Sequence, residues 1–317
     1  MSASIPRKMK AVAFDRYGGP EVLHVATLPL PSPKEDEAVV RLVSAGIGAW
    51  DPEVRSGEWE IGERRFPKVI GNDGAGEIVE VGSRVKRVRP GEQVYAYTAQ
   101  GGCYGEYVAV KQDHLAPVPP GISTEHAGAL GADGVTALSG LEGTLRLRRG
   151  EKLLVFGASG GIGHLALQLA KRLGAEVFAV ASGEDGVALA RRLGADQAVD
   201  GKHGAVVDAL RGFAPDGLDA ALVLTSGKGL DAALAQLKRS ARIAYPNGVD
   251  PEPEGPKGVK AQAYDGESSS DALDRLNALI SQGPFHVEVS FYPLDEAAQA
   301  HRDLEKHHLG KLALRFR

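Results

Sequence analysis

The stretch 152–182, KLLVFGASGGIGHLALQLAKRLGAEVFAVAS, constrains the fold more than any other part of the chain. Leu153 to Phe156 is an apolar run that reads as a buried strand. A glycine-rich turn follows, and then a helix whose apolar residues Leu165, Leu169 and Leu173 recur at helical spacing. Gly174 stops that helix, and Val177 to Ala181 returns as a second buried strand. Strand, turn, helix and strand in this register form a βαβ unit, which sets a glycine-lined turn at a helix N-terminus. Free backbone N–H groups and the helix dipole make such a corner a pyrophosphate site. Ser159, Gly160, Gly161, Ile162 and Gly163 are the residues expected to form it. Gly160 lets the backbone approach a phosphate, and Gly163 lets the helix pack on the strand.

The second strand ends Val180-Ala181-Ser182, without the Asp or Glu that would accept bonds from an adenosine ribose. A 2′-phosphate is therefore not repelled at that tip, and Ser182 offers it a hydroxyl donor. Glu184 and Asp185 follow closely and no Lys or Arg precedes Arg191. NADPH is the expected cofactor, with NADH left possible.

The rest of the sequence reads as a soluble enzyme of two domains. A chain of 317 residues exceeds the size at which one core stops growing. A hydrophobic fraction of 43% with 25% charged residues excludes a disordered or membrane protein. The net charge of −4, with Lys and Arg scattered, gives no footprint for nucleic acid. No apolar run is long enough to span a bilayer. The start, MSASIPRKMK, lacks the apolar core of a secretory signal, and the single Cys103 fits a reducing compartment, so a cytoplasmic location is expected.

Residues 9 to about 121 alternate short β-like runs (MKAVAF, EVLHVATL, EAVVRLVSAG, GAGEIVEVG, EQVYAYT, GEYVAV) with turns such as Tyr17-Gly18-Gly19-Pro20 and Pro119-Pro120-Gly121. From Thr124 the pattern changes to helix. It then becomes strands separated by helices: LLVFG, VFAVA, AVD, AALVL and ARIAYP. That alternation implies an α/β domain with a parallel, doubly wound sheet and ligands at the carboxyl ends of its strands. PNGVDPEPEGPKG reads as a loop.

An all-β module followed by a nucleotide fold resembles the medium-chain dehydrogenase/reductase superfamily, and within it the zinc-independent quinone oxidoreductases of the zeta-crystallin-like branch. The stretches that carry the resemblance are MKAVAFDRYGGPEVL, GNDGAGEIVEVGSRVKRVRPGEQVYA, GISTEHAGALGADGVTAL, GASGGIGHLALQLAKRLGA and FYPLDEAAQAHRDLEKHHLGKLALRF. The resemblance implies a GroES-like domain from residues 1–121 and 267–317, with a Rossmann domain at 122–266 and the C-terminus returning to the β-rich part. It also implies a homodimer.

Zinc-dependent relatives hold their metal with a Cys-His step and a Gly-His-Glu. At those places this chain has Gly48-Ala49 and Gly71-Asn72-Asp73, and one cysteine cannot build a structural zinc site. No metal is expected. Without a Lewis acid the acceptor must take hydride readily, as a quinone or an α,β-unsaturated carbonyl does. Enone or enoyl-thioester reduction is the alternative within this chemistry, and a dinucleotide-binding protein of low turnover the alternative outside it. The resemblance places the substrate between the domains near GIGAWDPEVRSGEW, where Asp51 matches a family acid and Trp59 shapes the pocket. The family's Asn is Gly48 here, and tyrosines of some quinone reductases fall at Glu53 and Trp59. For the cofactor, the resemblance implies contacts from Thr136, Thr225, Ser226, Tyr245 and Asn247, besides the turn and Ser182. A family Lys at the 2′-phosphate falls at Gly186 and a neighbouring Tyr at Gly201.

Overall fold

A computed structural model describes residues 6–316 apart from 61, 63 and 204. The first five residues, part of the start read above as no secretory signal, lie outside the described residues. Along the chain come β1 (Lys8–Ala13), β2 (His24–Pro29), β3 (Glu37–Gly46), α1 (Asp51–Ser56), β4 (Asp73–Val81), β5 (Gln93–Tyr97), β6 (Tyr107–Lys111) and β7 (Leu115–Pro117). α2 (Thr124–Ala127) and α3 (Gly131–Leu138) follow, the latter running into a π-helical turn over Ser139–Thr144. The nucleotide-type segment is β8 (Lys152–Phe156), α4 (Gly161–Arg172), β9 (Glu176–Ala181), α5 (Gly183–Arg192), β10 (Gln197–Asp200), α6 (Val206–Phe213), β11 (Leu218–Val223), α7 (Leu230–Leu234), β12 (Leu237–Pro246) and β13 (Ala261–Tyr264). The chain ends with α8 (Ser270–Ile280), β14 (Val289–Pro293), α9 (Ala297–Asp303) and β15 (Lys311–Arg315).

Two compact units result. The first, Met1–Ala132 with Ser268–Asn277 and Val289–Arg317, is the β-rich one. A seven-stranded sheet of order β14-β15-β3-β4-β5-β7, with β6 also paired to β3, carries it, and β1 pairs with β2. β3 is the spine: it pairs antiparallel with β4, β6 and β15, and nearly all its residues are buried. Its core is built on Phe14, Ile47, Ile78, Tyr104 and Leu115.

The second unit, Asp133–Glu267 with Ala278–Glu288, holds six parallel strands in the order β10-β9-β8-β11-β12-β13. This is the doubly wound 3-2-1-4-5-6 arrangement, with its switch point between β8 and β11. Four of the five residues of β8 and five of the six of β9 are buried, as strands covered on both faces require.

The domain limits differ from the expected ones in two places. Residues 122–132 belong to the β-rich unit, where Gly46 N donates to Gly128 O and Ser44 Oγ to Glu125 O. Residues 278–288 belong to the nucleotide unit, because α4 grips them. Arg172 donates to the carbonyls of Leu279, Ile280, Gly283 and Pro284 at the end of α8, and lies over the Phe285 ring. The last four carbonyls of a helix have no partner within it, so one guanidinium satisfies two of those of α8 and two more in the loop beyond. Two strands, β7 and β13, were not expected from the sequence, and the helix after Thr124 is broken into three parts.

Candidate active site

The glycine turn leaves β8 at Gly157, which has φ +92°, a left-handed conformation favouring glycine. Gly160 caps α4 with extended backbone, and the first intrahelical bond runs from His164 N to Gly160 O at 3.1 Å. The N–H groups of Gly161, Ile162 and Gly163 precede that bond and are the helix's unsatisfied donors. The two key glycines differ in their surroundings. A Cβ on Gly160 meets only Gly157 O, at 3.7 Å, so this glycine faces open space. A Cβ on Gly163 lies 2.1 Å from Gly157 O, so that glycine is a packing necessity. The roles expected from the sequence are the ones the local geometry permits.

Ser159 is buried and turned inward, its Oγ accepting from Ser182 N at 3.4 Å. Ser182 is the N-cap residue of α5 but its side chain makes no capping bond. Thr225 and Ser226 follow β11 beside the turn, with Thr225 Cγ2 3.1 Å from the Cβ position of Gly157. Thr136 is buried in α3, its hydroxyl packed against Gly266. Asn247 donates to Asp265 Oδ2 at 2.7 Å. Tyr245 lies near the carboxyl end of β12 and packs with Ile243 and Val249 in the core of the nucleotide unit.

One feature of this turn has no counterpart in the sequence reading. His164, fully buried in the first turn of α4, accepts Glu288 N on Nε2 at 3.1 Å, which leaves its Nδ1–H to donate to Gly160 O at 2.9 Å. One turn on, Gln168 receives His286 N at 2.9 Å and donates to His286 O at 2.8 Å. Two side chains thus replace a strand in holding residues 286–288 to α4. Burial lowers the His164 pKa, against the raising effect of its bond to Gly160.

In the β-rich unit a second polar constellation surrounds α1. Asp51 is fully buried, its Oδ2 accepting Gly48 N at 2.8 Å and the Tyr104 hydroxyl at 2.7 Å. Its Oδ1 has no hydrogen-bond partner. Burial pushes the Asp51 carboxyl up to about 7, the bonds from Tyr104 and Gly48 opposing that rise. Tyr104 also meets His301 Nε2 at 3.1 Å, and His301 Nδ1 faces Arg55 Nη1 at 2.8 Å. Beside them lies a buried ion pair, Lys311 Nζ to Asp73 Oδ2 at 3.0 Å, with Asp73 also receiving Ala132 N at 3.3 Å. Trp59 is 47% exposed beyond the end of α1, its backbone N–H donating to Glu53 O.

Comparison with known proteins agrees with both halves. Residues 34–120 match the alcohol dehydrogenase GroES-like domain and residues 161–256 the zinc-binding dehydrogenase domain. The chain is 32% identical to the NADPH-dependent alkenal/one oxidoreductase, chloroplastic, of Arabidopsis thaliana, over 98% of this chain and 81% of that one. It is 30% identical to the quinone oxidoreductase of Pseudomonas aeruginosa, over 93% and 95%. The structure of the quinone oxidoreductase from Coxiella burnetii superposes with a TM-score of 0.84 at 28% identity, covering 98% of this chain and all of that one.

The chain belongs to the medium-chain dehydrogenase/reductase superfamily, in its quinone oxidoreductase branch.

Within that family the metal positions can be tested against the residues present. Gly48 lies under Trp50, whose Cε2 is 2.6 Å from where a Cβ would stand. The Trp50 indole N–H donates to Asn72 Oδ1 at 3.0 Å, and Asn72 Nδ2 donates to Thr98 O. Neither position offers a thiolate or imidazole, the ring fills the space between them, and Lys311 Nζ sits 5.9 Å from that ring. Among the described residues no group of three or more His, Cys, Asp or Glu could hold a metal ion. The residues do not fit zinc. Cys103 is fully buried. No helix among the described residues is long and apolar enough to cross a membrane.

Proposed function

We propose that this chain is an NADPH-dependent reductase that delivers hydride to a quinone or an α,β-unsaturated carbonyl without zinc. The observation that carries the reading is the glycine turn, with Gly160 open outward while Gly163 is locked in packing. Its N–H groups at Gly161, Ile162 and Gly163 bind the cofactor's pyrophosphate, and the α4 dipole adds to their attraction. Bound NADPH supplies a hydride from its reduced nicotinamide. Thr225 and Ser226, at the switch point, and Thr136 and Asn247 contact the nicotinamide side, while Ser182 faces the adenosine ribose.

The acceptor must stabilise the arriving charge itself. A quinone does so on its carbonyl oxygen and takes a proton from solvent to become the hydroquinone; an enone takes hydride at its β-carbon and a proton at its α-carbon. Gly48, Ala49 and Asn72, standing at the metal positions of zinc-dependent members with the Trp50 ring packed between residues 48 and 72, support metal-free chemistry. Asp51, enclosed behind α1, acts as a positioning residue: it fixes Gly48 N and so the 48–51 turn on which the substrate loop is built. Trp59 shapes that loop's outer face. On the resemblance and the buried cysteine the reading extends to a homodimer in the cytoplasm.

The test is NADPH oxidation by the purified protein against a panel of quinones, enones and enoyl-thioesters. Turnover of quinones or enones without added metal is the expected result. NADPH binding with no turnover on any of them overturns the enzymatic reading in favour of a binding protein.

A further inference from the structure

Beyond the strand tip of β9 lies a cavity of about 350 Å³ within the nucleotide unit, lined among others by Gly201, Lys202, His203, Asp208, Lys228 and Gly229. It sits where the loops after β10 and β11 meet, at the carboxyl edge of the sheet. The loop after β10 is held to the tip of β9, since Gly201 N donates to Ala181 O at 2.8 Å and Gly183 N to Asp200 Oδ1 at 3.2 Å. In a doubly wound sheet the adenosine ribose lies at this tip. The cavity therefore adjoins the place of the 2′-position.

The α5 helix cannot supply a cation there. Gly186 is buried, and a Cβ on it lies 2.9 Å from Ser159 Oγ and 3.4 Å from Ala181 Cβ. The acid nearest the tip is already engaged. Asp200 Oδ1 takes Gly183 N and Lys202 N, its Oδ2 faces His203 Nδ1 at 3.0 Å, and the bond from Lys202 N leads the causes that hold its carboxyl below the usual range. That same bond sets the start of Lys202. The ammonium groups of Lys202 and Lys228 have no carboxylate partner among the described residues, and Asp208 has Arg211 Nη1 at 3.9 Å. Two cations without a carboxylate partner, from two different loops, thus border one cavity beside the β9 tip, whose nearest carboxylate, Asp200, is already taken up by backbone N–H groups.

We infer that Lys202 and Lys228 read the ribose 2′-phosphate of NADPH in this cavity, from the β10 and β11 loops. The inference rests on the NADPH reading above and adds the residues that discriminate. A phosphomonoester carries close to two negative charges at neutral pH, and lysine serves it as a point charge. NADH presents no such group, so the two lysines should be silent toward it.

The experiment titrates NADPH and NADH by fluorescence into the wild type, Lys202→Ala, Lys228→Ala and the double variant, at low and high salt, with 2′-AMP and 5′-AMP as competing probes. Both side chains are exposed, and circular dichroism with melting temperature verifies the fold. The double variant should lose about tenfold or more in NADPH affinity, with NADH within about twofold, and Lys202→Arg should recover most of the loss. The salt dependence of NADPH binding and the advantage of 2′-AMP over 5′-AMP should shrink in parallel. An equal loss for both cofactors, or an unchanged NADPH affinity in a wild type that prefers NADPH, rejects the lysines and leaves the cofactor reading intact. A wild type that prefers NADH, with a ratio the double variant does not move, rejects both.

Discussion

His301 Nε2 stands 3.1 Å from the Tyr104 hydroxyl, and the two rings meet edge to face with their centroids 5.8 Å apart. Arg55 fixes the direction of this contact. A guanidinium only donates, so His301 Nδ1 accepts, its Nε2–H donates to Tyr104, and the Tyr104 hydroxyl hydrogen passes to Asp51 Oδ2. Two side chains, His301 and Tyr104, thus carry a one-way chain of donors from Arg55 to Asp51 that closes on the turn at Gly48. Burial, with the Arg55 charge adding to it, lowers His301 to about 3, which keeps the ring neutral and the direction fixed across the working pH range.

Asp51 should make stability fall as pH rises. Its folded pKa of about 7 exceeds its ordinary 3.8, so the folded state holds the proton more tightly. The contribution is complete below about 3.8 and is lost as pH climbs through about 7. Comparing denaturant midpoints of the wild type and Asp51→Asn between pH 5 and 8 should reveal a difference that drifts by an amount on the order of 2–4 kcal/mol. A pH-independent difference would refute the assignment.

Removing the middle of the chain leaves polar groups stranded. Tyr104→Phe deprives Asp51 Oδ2 of one donor and His301 Nε2–H of its acceptor in a buried site. Urea denaturation should record a loss of about 1–3 kcal/mol. A change within about 0.5 kcal/mol would mean that neither group depends on the hydroxyl.

The two turn glycines should fail in opposite ways. Gly160→Val projects into open space, so the melting temperature should hold while NADPH affinity falls at least about tenfold. Gly163→Ala meets Gly157 O and Ala158, so the fold should lose about 1–3 kcal/mol before binding is considered. Fluorescence titration and thermal melts of both variants check the pair; equal behaviour of the two would contradict the geometry.

His164 holds the Glu288 amide. His164→Phe fills the site but offers no acceptor, so amide exchange at Glu288 should quicken more than elsewhere in residues 278–288, with about 1–3 kcal/mol lost. In the wild type, the folded pKa of His164 lies below its ordinary value, so its contribution stands above pH 6.5 and fades as pH falls. Exchange at Glu288 that ignores the substitution would show the bond to be incidental.

Metal removal should change nothing. With Gly48, Ala49 and Asn72 at the ligand positions of zinc-dependent relatives, exhaustive chelation should leave NADPH oxidation and melting temperature unaltered, and elemental analysis should find no stoichiometric zinc. Near-stoichiometric zinc would overturn the metal-free reading.

What the sequence disclosed was what lies close together along it. The βαβ turn is complete within about thirty residues, and each glycine's role follows from strand-to-helix geometry alone. The position of Thr225 and Ser226 just past a buried strand was legible for the same reason. The Asp51–Tyr104–His301 chain was not, because it joins residues 53 and 197 positions apart in sequence. Nor was the docking of residues 286–288, since His164 and Gln168 read as ordinary members of an amphipathic helix until their partners are seen.

The Trp50 ring lying over Gly48 also bears on how such a site can change over generations. A cysteine placed at residue 48 by a single substitution would collide with the indole before it could contribute to a metal, and a histidine at residue 72 would meet an indole N–H that competes for its acceptor nitrogen. A metal between these positions therefore needs Trp50 to move or change as well, which would give up its bond to Asn72. Packing around one indole ring thus opposes a metal here independently of which ligands residues 48 and 72 could supply.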